Sequence, residues 1–388
     1  MSCRYLKIED FCSTGSGGTP SRSKPEYYEG GDIPWIKSGD LKDSKIYEAN
    51  EYITAAGLEN SSAKIVEKDS ILIAMYGATV GRLAILGINA ATNQAICNIR
   101  PDTTIADMKY LYYFLKSKFS YFVENAVGGA QPNISQGLIK SLEVPLPSLD
   151  EQKRIADILD KAAGVCQKRE QAIKLADDFL RAKFLEMFGT PANNIHRFPK
   201  GTIRDLVDSV NYGTSAKASI DSGEYPILRM GNITYQGRWD FTDLKYLDLS
   251  VKEKDKYLVK EGDLLFNRTN SKELVSKTAV YEEDRPMAFA GYLIRVRPNS
   301  IGNNYYISGY LNSIHGKITL MNMCKSIVGM ANINAQELQN IEILIPPKHL
   351  QDEYEIIYKK IKKGLSIYDK SAMQLQLLAS NLSNKYFM

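Results

Sequence analysis

The chain has 388 residues, a length that leaves room for two or three domains. Its formal net charge of +4 excludes a histone-like polycation. Its five cysteines are scattered without a CxxC pair, so the sequence predicts neither a disulfide framework nor a zinc site. The most hydrophobic window, residues 71–91, contains Arg82 and is interrupted by glycines. We therefore expect a cytoplasmic chain with neither a signal peptide nor a membrane anchor.

In chain order, the first stretch alternates short apolar runs with loops marked by Gly and Pro. We predict a strand or turn at 6–11, strands at 33–37, 71–76, 90–100 and 139–144, and one helix over 108–122. Strands with few helices, in no regular strand–helix alternation, predict an α+β domain.

The stretch from Pro145 to Phe188 predicts a long coiled-coil helix. Ser148 or Asp150 is expected to cap its start, and Gly189 with Pro191 to end it. Spacings of four and three alternate along its proposed seam. The seam positions are Ile155, Leu159, Ala162, Cys166, Arg169, Ile173, Ala176, Leu180, Lys183 and Met187, and Phe184 is expected to take over the contact from Lys183.

A second helix with the same spacing is predicted at the end of the chain. Its seam positions are Leu350, Tyr354, Ile357, Ile361, Gly364, Tyr368, Ser371, Leu375, Leu378, Leu382 and Lys385. The first helix leads into a second globular region and the second helix leaves it, so a side-by-side pair is most simply antiparallel. The alternative is two amphipathic helices, each docked on its own globular region.

The second globular region repeats the first. Residues 31–41 (GDIPWIKSGDL) align with residues 223–233 (GEYPILRMGNI) at an offset of 192, and 131–134 align with 330–333 at an offset of 199. Residues 77–82 find a counterpart in the polar segment 267–272. A repeat of this length indicates a duplicated domain rather than a solenoid unit. The expected division is a domain over 1–149, a helix over 150–188, a second domain over 189–347 and a second helix over 348–388.

Three segments carry a resemblance to one family. Leu146–Asp160 (LPSLDEQKRIADILD) closely resembles the first helical region of Type I restriction-modification specificity subunits. Leu264–Ser271 (LLFNRTNS) resembles a segment of their target recognition domains, and Gly18–Pro20 followed by Asp32–Lys37 resembles the start of such a domain. The resemblance covers essentially the whole chain.

The resemblance implies a subunit that binds no cofactor and catalyses nothing. Each α+β domain would read one half of a bipartite double-stranded DNA target, while the antiparallel helices set the gap and dock two modification (methyltransferase) subunits. Those partners would use S-adenosylmethionine to methylate adenine, and restriction/translocase subunits with ATP and Mg²⁺ would cut unmethylated DNA. Pro346–Glu353 is a degenerate copy of the first helical region, which leaves open whether the docking contacts at the two helices are equivalent.

Polar residues on Gly- or Pro-marked loops are the candidate DNA contacts, because base edges and phosphates are bound by such side chains. In the first domain they are Thr19, Ser21, Arg22, Lys24, Tyr76, Thr79, Arg82, Gln131 and Asn133. In the second they are Tyr212, Thr214, Lys217, Asn267, Arg268, Thr269, Asn270, Ser271, Lys272 and Asn332. For any single residue the alternative is an ordinary solvated loop or turn.

The motifs that resemble catalytic sites do not fit the chemistry they suggest. Residues 11–18 are rich in Gly and Ser, but prolines follow where a cofactor loop would open a helix. No Asn/Asp-Pro-Pro-Tyr/Phe tetrapeptide or Walker loop occurs, and the three histidines are isolated. Asp102, Asp107 and Lys109 mimic part of a nuclease site, but Asp107 reads better as a helix cap.

Two other hypotheses stay open at this point. In the first hypothesis the chain is an enzyme, a nuclease or methyltransferase, whose catalytic residues are unrecognised. In the second it is the recognition subunit of a Type IIB-like system. Methylation or cleavage by the isolated chain would distinguish the first, and the partner's sequence the second.

Overall fold

The computed structural model describes residues 4–270, 276–327 and 330–387. Contacts between residues group into two compact units. Unit 1 comprises Met1–Lys168 with Ser371–Met388, and unit 2 comprises Arg169–Lys370.

Unit 1 opens with a mixed α/β domain. Its strands are β1 Arg4–Lys7, β2 Cys12–Ser16, β3 Ile33–Ile36, β4 Lys45–Ile46, β5 Glu51–Ile53, β6 Ile65–Val66, β7 Ile71–Ala74, β8 Leu83–Leu86, β9 Ala90–Thr92, β10 Ile96–Pro101 and β11 Glu143–Leu146. Its helices are α1 Ile8–Phe11, α2 Ala55–Glu59, α3 Met108–Ser117, α4 Phe119–Glu124 and α5 Gln136–Lys140, followed by the long α6 Leu149–Phe188.

The remaining elements form a second domain and a second long helix. The strands are β12 Lys200–Thr202, β13 Val207–Tyr212, β14 Tyr225–Leu228, β15 Lys245–Leu247, β16 Leu258–Val259, β17 Leu264–Asn267, β18 Thr269–Asn270, β19 Thr278–Val280, β20 Met287–Phe289, β21 Leu293–Pro298, β22 Lys325–Ile327, β23 Met330–Asn332 and β24 Glu342–Leu344. The helices are α7 Val251–Tyr257, α8 Asn304–Asn312, α9 Ile314–Met323, α10 Ala335–Gln339 and the long α11 Lys348–Phe387.

The two domains share one sheet topology, which confirms the predicted duplication and the α+β class. One sheet runs β2-β10-β7-β8-β4 in unit 1, and its counterpart runs β13-β21-β17-β19 in unit 2. A second sheet runs β5-β3-β9-β6 and is repeated as β15-β14-β20-β16, each with a parallel central pair. The apolar runs at β7 and β17 lie fully buried in the middle of their sheets, as continuous hydrophobic strands do.

Three predicted elements in the first domain are wrong in detail. The helix expected over 108–122 is interrupted at Lys118, which separates α3 from α4. The strand expected at 139–144 begins only at Glu143, because Ser135 caps a short helix, α5, through its hydroxyl. The strand expected over 90–100 is divided into β9 and β10. The predicted cap at Asp107 is confirmed, since its carboxylate accepts a hydrogen bond from the Tyr110 N–H at 3.0 Å.

The first long helix has the predicted ends. The Ser148 hydroxyl accepts a hydrogen bond from the Glu151 N–H at 3.4 Å. At the other end Gly189 has a φ of +67°, a left-handed conformation that favours glycine, and it donates to the Leu185 carbonyl at 2.9 Å. The 40 residues of α6 span about 60 Å.

A buried glutamine fixes the start of each long helix. The side-chain amide of Gln152 donates to the carbonyls of Ile105 and Pro147, at 3.1 and 2.9 Å. Gln351, 199 positions later, donates in the same way to the carbonyls of Ile301 and Pro346, at 2.9 and 2.8 Å. The duplication therefore includes the joint between each domain and the helix that follows it.

Within each unit the start of one long helix lies beside the end of the other, which confirms the antiparallel pairing. In unit 1, Ile155 and Leu159 share a hydrophobic cluster with Leu382 and Phe387. In unit 2, the ring of Phe184 lies 5.3 Å from that of Tyr354. The two rings meet edge to face, an arrangement that is favourable beyond the area it buries.

The predicted seam holds along α6 and fails in part along α11. All ten positions predicted for the first helix are buried or half-buried, and Phe184 is buried beside Lys183 as expected. On the second helix Leu378 is 51% exposed and Lys385 is exposed, so the prediction is wrong at both. The side chains of Tyr368, Ser371 and Leu375 lie outside the described residues.

Candidate nucleic-acid interface

Four polar or aromatic residues of unit 2 meet where β17 ends, and we call them the Arg268 cluster: Tyr212, Arg268, Thr269 and Asn332. Antiparallel pairing of β18 with β23 places Thr269 opposite Asn332, and the Thr269 hydroxyl donates to the Asn332 side-chain carbonyl at 3.1 Å. Tyr212 comes from the end of β13, in the same unit. The fold thus assembles residues that lie more than 100 positions apart in the sequence.

The Arg268 side chain is held from two directions. Its Nε donates to Asn332 Oδ1 at 3.2 Å, and its guanidinium carbon lies 4.8 Å from the centre of the Tyr212 ring. The Tyr212 hydroxyl in turn accepts a hydrogen bond from the Ala335 N–H at 2.9 Å. A cation over an aromatic ring is attracted by the ring's negative face.

The corresponding place in unit 1 brings together another predicted group. Tyr76 forms a bridge with Asn133, as Thr269 does with Asn332, and the Gly77 N–H donates to the Pro132 carbonyl at 2.8 Å. The Thr79 hydroxyl donates to the Tyr76 carbonyl at 3.0 Å. Tyr76, Thr79 and Asn133 therefore lie on adjoining loops.

Two further predicted residues, Arg82 and Gln131, are exposed on these same loops. Among the described residues, neither of their side chains has a hydrogen-bonding or ionic partner.

Most of the loop at residues 19–24 is engaged within the protein. Arg22 forms an ion pair with Glu51 at 2.6 Å and lies 4.4 Å from the centre of the Tyr28 ring. Hydrogen bonds from Lys37 and then Arg22 lower the pKa of the Glu51 carboxyl. Lys24 donates to the Tyr27 hydroxyl at 2.9 Å. DNA would have to compete with these partners for both basic groups.

The other two predicted residues of that loop are also hydrogen-bonded. The Thr19 hydroxyl donates to the Gln94 side-chain carbonyl, and the hydroxyls of Ser21 and Ser23 lie 2.8 Å apart. Gln94 precedes Ala95, whose carbonyl accepts a hydrogen bond from the Met75 N–H at 2.8 Å. This chain of contacts places the loop next to the strand end that carries Tyr76.

Two predicted residues of unit 2 are internal. Thr214 is buried, and its hydroxyl accepts a hydrogen bond from the Ala216 N–H at 3.1 Å. Asn267 is fully buried, with its side-chain carbonyl 3.4 Å from the Thr269 N–H. Lys217 is exposed. The side chain of Asn270, with Ser271 and Lys272, lies outside the described residues.

The predicted alignment of residues 77–82 with 267–272 is shifted. The Ala74 N–H donates to the Arg82 carbonyl at 2.9 Å, and the Asn267 N–H donates to the Lys277 carbonyl at 2.8 Å. Asn267 is therefore the counterpart of Ala74, and the loop of unit 2 is two residues longer. Sequence alignment failed here because the hydrogen bonds at the loop ends correspond while the residues between them share no pattern.

Two residues beside these groups were missed by the sequence analysis. Tyr292 is 58% exposed, and its carbonyl accepts a hydrogen bond from the Arg268 N–H at 3.1 Å. The other is Gln94 of unit 1, which directly precedes Ala95 and accepts a hydrogen bond from the Thr19 hydroxyl. The signal that could have found Tyr292 was its place in the repeat, where it is the counterpart of Ala95.

Several other kinds of site find no support in the described ranges. No group of three or more His, Cys, Asp or Glu side chains there is placed to hold a metal ion. None of the helices described combines the length and apolarity that a membrane span requires. The fold and its two loop groups define a duplicated protein that carries polar loops at the same place in each copy.

The family comparison agrees with that class. A model of the Type I restriction modification DNA specificity domain matches residues 4–175 and again residues 198–379. Because these matches span most of the sequence, the chain belongs to the family of Type I restriction-modification specificity subunits. Specificity subunits of these systems are non-catalytic.

Individual relatives and solved structures carry the same description. The chain is 24% identical over a 405-position alignment to the MjaIX specificity subunit of Methanocaldococcus jannaschii, covering 98% of this chain and 91% of that one. It is 33% identical over 150 residues to the EcoR124I/EcoR124II specificity subunit of Escherichia coli, covering 37% of each. The crystal structure of a Type I S subunit from M. genitalium matches with a TM-score of 0.66 at 15% identity, covering 100% of this chain and 96% of that one.

Proposed function

We propose that this specificity subunit reads a bipartite double-stranded DNA target, one half with each mixed α/β domain. The recognition domains are assigned to residues 1–149 and 189–347, and the spacer helices to 150–188 and 348–388. In this arrangement the chain supplies sequence recognition, and it binds no cofactor of its own.

The observation that carries the proposal is the repeated placement of polar loops at one strand end. Tyr76 with Asn133 in unit 1 and Thr269 with Asn332 in unit 2 occupy equivalent backbone positions, and each pair sits among exposed polar side chains. Base edges and phosphates are contacted by such side chains. Two copies with different side chains suit two different half-sites.

The long helices are proposed to set the gap between the half-sites and to dock two modification subunits. Apolar side chains remain exposed on both helices in unit 2, namely Leu175 and Phe179 on α6 and Ile356 on α11. Leu175 and Phe179 are one helical turn apart and so form one patch. Exposed apolar patches of this kind favour protein contacts.

The partner chemistry completes the proposal. The modification subunits would use S-adenosylmethionine to methylate adenine within each half-site, and restriction/translocase subunits would require ATP and Mg²⁺. Such a complex would act on DNA in the cytoplasm.

The test is a genome-wide map of methyladenine in host cells with and without this chain. We expect its deletion to remove methylation from one split motif, with two short specific blocks around a nonspecific gap. Re-expression of the chain should restore that motif and no other. Loss of a continuous motif, or methylation unaffected by the deletion when the modification subunit is expressed, would contradict the proposal.

A further inference from the structure

The Arg268 cluster restrains an arginine without neutralising it. The backbone of Arg268 is fixed by hydrogen bonds to the Tyr292 carbonyl at 3.1 Å and from the Ile333 N–H at 2.9 Å. Its Nε is occupied by Asn332, and the face of its guanidinium lies over Tyr212. What these contacts leave available is the outer fork formed by Nη1 and Nη2.

That fork has no acceptor among the described residues. By contrast, Arg238 and Arg297 of unit 2 are paired with carboxylates, with Asp177 at 2.6 Å and with Asp263 at 2.7 Å. Arg268 forms no ion pair with any described residue. A guanidinium held in place while its two outer N–H pairs stay open is arranged for an external ligand with two acceptors.

We propose that Arg268 reads a guanine in the half of the target bound by unit 2, by donating from Nη1 and Nη2 to O6 and N7 in the major groove. Tyr212 and Asn332 act as positioning residues for the fork. The proposal deepens the proposed function and rests on it.

Guanine is favoured by the pattern of hydrogen-bond groups on the base edges. In the major groove guanine presents two adjacent acceptors, whereas adenine presents an acceptor next to a donor. A guanidinium carries only donors. Because Nε is occupied, Arg268 offers the remaining ones as a parallel pair from Nη1 and Nη2. The restraint by Tyr212 and Asn332 also reduces the conformational entropy lost when the fork binds.

The equivalent position in unit 1 has no such fork. Met75 makes the same backbone hydrogen bonds, from its N–H to Ala95 and to its carbonyl from Ile134, at 2.8 and 2.9 Å. Its side chain is 4% exposed and apolar. The guanine contact is therefore specific to the half-site of unit 2.

The test uses the complex of the chain with its modification subunits, which methylates a randomised plasmid library. The wild-type motif should contain one guanine in one half at which Arg268→Lys and Arg268→Ala both relax the preference. Discrimination against the other bases at that position should fall by roughly 5- to 150-fold. Arg268→Lys keeps the charge and removes the fork, so it separates base reading from phosphate attraction. All other positions in both halves should keep their preference.

The positioning residues give a second, independent readout. Tyr212→Leu and Asn332→Ala should weaken discrimination at the same base pair, and Tyr212→Phe should retain most of it because the ring remains. Arg285→Ala is the matched control, since Arg285 is an exposed arginine of unit 2 outside the cluster. Thermal unfolding of each variant identifies any that fail to fold.

Several outcomes would overturn the inference while leaving the proposed function intact. They are a split motif without guanine in the half bound by unit 2, a guanine unaffected by Arg268→Lys, or a uniform loss of binding to all sequences. In the last case the salt dependence of binding would fall by about one phosphate contact, which identifies Arg268 as a phosphate ligand. Methylation that follows no split motif would instead overturn the proposed function, and the guanine contact with it.

Discussion

The two units differ most where their backbones are most alike. At the end of β7, Met75 is buried and Tyr76 is the first exposed residue, whereas at the end of β17 Arg268 is half-buried and lies over an aromatic ring. Both positions make the same pair of backbone hydrogen bonds. The backbone frame is thus kept by groups common to all residues, which leaves the side chains free to differ between the two domains.

The two units also differ in the aromatic residues at their joints with the long helices. A substitution at one joint should have the largest effect on the stability of a unit. In unit 1 the ring of Phe387 lies 5.3 Å from that of Tyr110 and 5.9 Å from that of Phe114. Phe387→Ala should lower the free energy of unfolding of unit 1 by about 3–5 kcal/mol, through lost burial and the cavity left behind. Unit 2 should be unaffected, because its joint is formed by Phe184 and Tyr354 instead.

Each unit contains one tryptophan, which makes the measurement selective. Urea unfolding followed by Trp35 fluorescence, in a Trp239→Phe background, reports unit 1, and the reverse arrangement reports unit 2. Phe119→Ala is the control within unit 1, because that side chain is 46% exposed and its loss should cost less than about 1 kcal/mol. Equal losses in Phe387→Ala and the control would show that the end of α11 does not stabilise unit 1.

The buried glutamines give the next largest effect and sharpen the comparison. Gln152→Ala and Gln351→Ala each leave two carbonyls without donors, so both should destabilise their unit by about 2 kcal/mol or more. Gln152 also accepts a hydrogen bond from the Asp107 N–H at 2.8 Å, whereas Gln351 Oε1 has no partner among the described residues.

We therefore expect Gln152→Ala to cost about 1 kcal/mol more than Gln351→Ala, measured by the same urea transitions. Gln171→Ala, on the exposed face of α6, serves as the control. A larger loss in Gln351→Ala would mean that the two joints are not built alike.

The free energy of unfolding should change with pH in opposite directions in the two units. Burial, with the nearby charges of Arg181 and Lys277, lowers the pKa of Lys317 to about 8. Below that pH the folded unit 2 holds a buried charge that the unfolded chain solvates. As the pH rises from 8 toward the ordinary lysine value, the folded state loses this proton before the unfolded state does, so stability rises.

Between pH 7.5 and 9 the free energy of unfolding of unit 2 should increase by about 1 kcal/mol, and Lys317→Met should abolish the increase. Unit 1 should show the opposite trend, because burial raises the pKa of Cys97 to about 11 and that of Cys12 to about 12. Its stability should fall above pH 9, as these thiols ionise in the unfolded chain first. A parallel response of the two units would contradict the assignment.

The smallest effect on stability is expected at Arg82. Its exposed side chain has no partner among the described residues, so Arg82→Ala should change the free energy of unfolding by no more than about 0.5 kcal/mol. In DNA binding by the assembled complex, it should weaken all sequences alike and reduce the salt slope by about 0.9. Relaxed preference at a single base pair would instead give Arg82 the base-reading role that we propose for Arg268.

Much of the architecture was predictable from local patterns. The ends of α6 follow from Ser148 and Gly189, and its seam follows from the spacing of apolar residues. The repeat predicted two copies of one domain, which the matching sheet orders confirm. The seam failed at Leu378 because a heptad pattern marks where a helix can bury side chains, not which of them the partner helix covers.

The candidate site was less predictable than the frame. Polar residues on loops look alike in sequence whether they face solvent, as Lys217 does, or lie buried within a turn, as Thr214 does. Arg22 and Arg268 are both loop arginines, yet the first is paired with Glu51 and the second has no described carboxylate partner. Pairing depends on which distant strand brings a carboxylate or an amide within reach.

The periodic and repeated features of this protein are encoded locally: two α+β domains, two long helices and the residues that begin and end them. These follow from interactions between near neighbours along the chain. The grouping of the polar residues is not encoded locally, because Tyr212, Arg268 and Asn332 meet through a ring contact and strand pairing across more than 100 positions. Contacts of that range depend on the packing of whole sheets, which no local pattern encodes.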